Sequence, residues 1–185
     1  MRRLGRMTGG SGQAVGLPDV PRPSPDGASG RGIGSSVAAG AAAGLLASVV
    51  QVVVGKTEQW LFLPRGETPD FAPRLVDRAF QRVSGRASAP VKWALGTVFH
   101  LCYGALWGAT YGAVQRRLRL HPLLAGAALG LLIYGITFPR WGAAVRLGVE
   151  RPPHARTRRM TAVAASVAMT YGLAVGAFYR RLAGR

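Results

Sequence analysis

Four stretches of this chain contain no Asp, Glu, Lys or Arg: residues 32–55, 93–115, 120–139 and 160–179. A helix needs about 20 apolar residues to cross the hydrocarbon core of a bilayer, and each stretch has that length. Soluble helices keep a polar face, so a water-soluble domain rarely holds four such windows. The pattern predicts an all-α membrane protein with four transmembrane helices, spanning about 33–62, 92–115, 121–139 and 160–179. Four buried helices of a soluble bundle are the plainer alternative.

Charge follows the same division. The chain carries 24 Lys+Arg against 7 Asp+Glu, a formal net charge of +17. Its arginines flank the apolar windows instead of lining one face, which argues against a nucleic-acid partner. Lys/Arg clusters beside apolar spans favour anionic lipid headgroups by about 1 kcal/mol each. The two sides of a four-span topology hold nearly equal numbers of basic residues. Arg116, Arg117, Arg180 and Arg181 abut helix ends with no acids nearby, which places both termini in the cytoplasm by the positive-inside rule.

Residues 1–31 begin with Arg2, Arg3 and Arg6, then turn Gly-, Ser- and Pro-rich. No apolar signal-peptide core follows the basic start. Such a composition cannot offset ordering entropy, so this segment reads as a disordered basic tail preceding a transmembrane domain over 32–185. The first helix runs past its charge-free window to Trp60 and Phe62, which suit an interfacial anchor, and Pro64 stops it. At 1.5 Å per residue it is about 45 Å long, so it must tilt or project beyond the lipid. Over about 71–85 an amphipathic helix is expected, starting at Asp70 or Pro73 and ending at Gly85. Leu75, Val76, Ala79, Phe80 and Val83 share one face of it. That helix lies on the membrane surface or packs on its neighbours.

Self-comparison reveals an internal repeat. Ala39, Gly40, Gly44, Leu45 and Leu46 are matched in order by Ala125, Gly126, Gly130, Leu131 and Leu132. Tyr103, Gly104, Gly108, Ala109 and Tyr111 are matched by Tyr171, Gly172, Gly176, Ala177 and Tyr179. Two repeated helical hairpins follow, with a pseudo-axis along the membrane normal.

Glycines recur at helical spacing. Gly96, His100, Gly104, Gly108 and Gly112 stand four apart, as do Gly172 and Gly176. Small residues so spaced let helix backbones approach closely, within the chain or in a homo-oligomer. His100 lies on that ridge and should face another helix. Gln51 and Glu58 are seven apart and share a face of the first helix, pointing into the bundle. An acid near the membrane is costly and marks a functional hypothesis. Glu58 is open to an interfacial pairing, for example with an Arg, or to a polar path with Gln51 and His100 in a small transporter or channel subunit. The lone Cys102 reads as a small buried hydrophobe, and Glu150 beside Arg151 as solvated. No nucleophile, zincin or P-loop pattern occurs, so no enzyme is expected. No His or Cys accompanies His100 at metal-ligand spacing, so neither metal nor other cofactor is expected.

Residues 55–74, with Glu58, Pro64 and Arg65, and the run from His100 to Gly104 followed by Gly108, Tyr111 and Gly112, resemble the YagU-like family. These are small bacterial inner-membrane proteins of unassigned activity. The resemblance implies an integral inner-membrane location and an unassigned activity.

Overall fold

A computed structural model describes residues 32–64, 71–83, 85 and 87–184. The expected disordered tail over 1–31 and the Asp70 start of the amphipathic helix lie outside them. The described residues are helical and turn structure, with no strand among them. The elements are α1 (Ile33–Phe62), α2 (Phe71–Val83), α3 (Ala89–Leu118), α4 (Pro122–Thr137), α5 (Ala143–Arg146) and α6 (Arg158–Leu182), with a 3-10 turn at Pro153–Ala155 before α6.

The helix ends follow local chemistry. Pro122 opens α4 and a Pro stands in the first turn of α3, where a missing N–H costs nothing. Thr157 caps α6, its hydroxyl accepting the Met160 N–H at 3.2 Å. Gly85 ends the α2 segment at φ +101, donating its N–H to the Phe80 carbonyl. Arg119 closes α3 in the left-handed region at φ 48. Beneath it, the α3–α4 turn is locked from inside. Buried Gln115 donates to the Leu120 carbonyl at 2.8 Å, and the Tyr111 hydroxyl donates to the Pro122 carbonyl at 2.7 Å.

Two glycine-faced pairs form the bundle. Along α1 and α3, Gly40 faces Gly108 and Gly112, while Gly44 faces Gly104 and Gly108. Along α4 and α6, Gly126 faces Gly172, and Gly130 faces Ala168. A Cβ at Gly40, Gly108 or Gly172 would collide with the main chain of the opposite helix. Gly96 does something else: it seats Ala72 and Pro73 at the start of α2. α2 therefore packs on α3, with Val76 buried and Asp77 paired to Lys92 at 2.6 Å.

The interior is small and the exterior large. α1 buries Ser36, Gly40, Ala43, Gly44, Ala47 and Ser48, while Val49 and Val53 are 56% and 61% exposed. Leu45, Leu46, Leu106, Leu131 and Leu132 also point outward. Cys102 is exposed on this outer surface, which corrects its reading as a buried residue. The core proper gathers Ala43, Ala47, Tyr111, Leu129, Ile133, Tyr171, Val175 and Tyr179.

Among the described residues, two helices are long and apolar enough to cross a membrane, α1 and α6. α4 is apolar but only 16 residues long, about 24 Å. α3 has the length, but its glycines, His100, Thr97, Thr110 and Gln115 dilute its hydropathy. The sequence-matched positions of the two pairs also differ in use. The Tyr171 hydroxyl donates to the Gly104 carbonyl at 2.6 Å, whereas Tyr103 stays within its own helix, stacked on Phe99 and edge-on to Trp107. α1 runs along α6, but α3 meets α4 at few positions beyond their shared turn.

Candidate functional site

The two pairs part towards the end of the bundle that carries α2 and the α4–α6 connection. α1 and α3 stay in glycine contact from Gly112 to Gly104, where Ser48 takes the next place on α1. Beyond it α1 leans onto α6, with Gly55 against Val167. α3 instead receives α2 on Gly96. Between them opens a largely apolar cavity of about 490 Å³. Its walls are drawn from parts of the segments 48–59 of α1, 93–104 of α3 and 160–171 of α6, with Ile133, Thr137 and the first turn of α2 at its sides.

Polar groups are few and concentrated at one end. Gln51 and His100 stand on the walls, and Lys56, Gln59, Glu150 and Arg156 at the connection end. Lys56 lies over the Trp93 ring, 5.4 Å from its centroid, which ties α1 to α3 across the mouth. Arg156 donates to the Arg151 carbonyl at 2.6 Å and the Phe138 carbonyl at 3.0 Å, with its guanidinium over the Phe138 ring. One of its terminal nitrogens is buried with no partner in the structure.

The expected site residues separate. Gln51 and His100 face the same cavity. The His100 ring lies against the Ser48 backbone, and its Nε2 is buried without a partner. Glu58 does not line the cavity. Its Oε1 accepts a hydrogen bond from the Ser166 hydroxyl of α6 at 2.6 Å, so its partner is a serine and neither an arginine nor His100. Of the glycine ridge, Gly104 and Gly96 touch the cavity, while Gly108, Gly112, Gly172 and Gly176 serve helix packing away from it.

Glu150 corrects another expectation. It is 8% exposed, not solvated. The N–H groups of Val149 and Glu150 both donate to the Ala144 carbonyl, so the turn after α5 folds the acid inward. Burial pushes its carboxyl above the ordinary value, opposed by Arg156, Arg74 and Arg151. A Glu-Arg step in a charged loop gave no signal of this. Among the described residues no three His, Cys, Asp or Glu side chains cluster as metal ligands.

Comparison with protein-family models, curated proteins and solved structures yields no match. None of the three identifies a YagU-like family.

Proposed function

We propose that this chain is a multi-pass helical membrane protein that holds an apolar molecule in the cavity between α1, α3 and α6, without catalysing a reaction. The observation that carries the reading is that cavity, set in a bundle that buries its small residues and turns its large apolar ones outward. Water offers no reason for Val49, Val53, Leu106 and Leu131 to face out, whereas hydrocarbon does. α1, α3, α4 and α6 serve as four spans in two repeated hairpins. Both termini lie on the cytoplasmic side of a bacterial inner membrane, and the arginine-rich ends sit among anionic headgroups. The glycine contacts are intramolecular, which leaves a homo-oligomer without need of them.

The test is retention of a neutral lipid. Full-length protein purified in detergent is expected to retain dioleoylglycerol at close to one per chain by native mass spectrometry. Ala164→Trp, which fills the cavity wall on α6, should lower that occupancy several-fold. No retention by the wild type would overturn the reading. The rival reading, a polar path for ions or protons, loses Glu58 to Ser166. Flux through reconstituted protein that vanishes in Glu58→Gln or His100→Ala would reinstate it.

A further inference from the structure

The first turn of α2 is a partition. Phe71, Ala72 and Pro73 line the apolar cavity. On its other side Arg74, Asp77 and Arg78 line an open polar cleft, completed by Gly148, Glu150 and Arg151 from the turn after α5. Glu150 belongs to both spaces. The cavity therefore leads into the cleft across one buried side chain.

Arginine is in excess in the cleft, with three guanidinium groups against two acids. Asp77 is committed to Lys92 at 2.6 Å. Glu150 is buried beneath the arginines. Arg74, Arg78 and Arg151 come from two separate segments and converge on the opening. Guanidinium groups in such an arrangement match the oxygens of a phosphate, which can accept paired N–H bonds. A largely apolar cavity with a polar group at one end is the usual form of a small-ligand site. The fit here is to a molecule apolar along most of its length and phosphorylated at one end.

We infer that the cavity and cleft together bind a single phospholipid bearing an anionic phosphate headgroup, its chain in the cavity and its phosphate among Arg74, Arg78 and Arg151. This rests on the cavity reading above and adds the headgroup to it. The headgroup's place also gives α2 a purpose. α2 is docked on α3 by Gly96 and Lys92, and so holds two of the three arginines at a fixed place beside the cavity mouth.

The test compares lipids on full-length protein in detergent, by native mass spectrometry. Dioleoyl phosphatidic acid and dioleoylglycerol share chains and differ in the phosphate. The wild type is expected to retain phosphatidic acid at least tenfold better. The triple variant Arg74→Gln, Arg78→Gln, Arg151→Gln should erase that preference while still retaining dioleoylglycerol, which also shows that it is folded. The corresponding Arg→Lys triple, which keeps the charge but loses the paired N–H bonds, should keep only part of the preference. A control triple at the other end of the bundle, Arg117→Gln, Arg180→Gln, Arg181→Gln, should change it less than twofold. Inorganic phosphate in excess should fail to displace phosphatidic acid. Equal retention of the two lipids by the wild type, or an equal loss in the control triple, overturns the inference and leaves the cavity reading standing. Displacement by inorganic phosphate reassigns the cleft to the free ion and overturns it too. Retention of neither lipid overturns the cavity reading itself.

Discussion

At Gly108 the α3 main chain lies against Gly40 and Gly44 of α1, and a side chain there has no direction in which to yield. Gly108→Val must push the pair apart, and overpacking of this kind costs about 1–3 kcal/mol or more. Thermal unfolding in detergent should drop by several degrees, whereas Gly135→Ala, where an added Cβ meets nothing within 4 Å, should leave it nearly unchanged. Glu58 and Ser166 form the second residue-scale test. An intramolecular hydrogen bond contributes about 0.5–1.5 kcal/mol net. A double-mutant cycle of Glu58→Ala and Ser166→Ala should therefore show coupling of about 1 kcal/mol. A coupling near zero would mean that Glu58 is not engaged by α6. Part of the site was legible at this scale. The four-residue ridge located His100, and the polar stripe of α1 located Gln51. The same stripe turned Glu58 into the bundle, onto Ser166, but left a pairing and a polar path equally open, because helical spacing fixes a face and not what the face meets along its length. At Gln51 that face meets a cavity; at Glu58, one turn past Gly55, it meets α6.

The helices themselves are the most legible part of this chain, since charge-free windows and prolines mark where apolar segments start and stop. α3 runs from Ala89 to Leu118, past the edges of its window, because Lys92, Arg116 and Arg117 are good helix formers that polarity alone would exclude. α4 stops at Thr137, short of its window, where the chain turns through Phe138 and Pro139. What the pattern could not show is how the connection between α4 and α6 folds. Among its four arginines and two adjacent prolines the Glu150–Arg151 step reads as solvated, yet α5 and the Ala144 carbonyl turn Glu150 inward. That burial predicts a pH dependence. The folded Glu150 carboxyl holds its proton above the ordinary 4.5, so the folded state binds it more tightly than the unfolded one. Its contribution to stability is full below about pH 4.5 and is lost as pH rises through the folded value. Thermal midpoints in detergent should fall over that range in the wild type and fall less in Glu150→Gln. Identical pH profiles would show that the acid is not desolvated.

For the whole molecule, everything depends on whether the ends of the bundle are separated by a bilayer. The chain alternates direction through α1, α3, α4 and α6, so Leu118 and Leu182 close helices at one end while Leu147 follows α5 at the other. All three side chains are exposed, at 60%, 45% and 38%. Cys102 lies between the ends on the outer surface, where hydrocarbon would surround it in a four-span protein. These positions turn topology into a labelling pattern. In a Cys102→Ser background, Leu118→Cys and Leu182→Cys should react with a membrane-impermeant maleimide only when the cytoplasmic face is open. Leu147→Cys should react from the periplasmic face of intact spheroplasts. The native Cys102 should stay unlabelled from both faces until the membrane is dissolved. If α4 were too short to cross, Leu147 would report from the same side as Leu118, because the chain between them would return without spanning. Such a result would reduce the protein to the two helices that cross by length and hydropathy, α1 and α6.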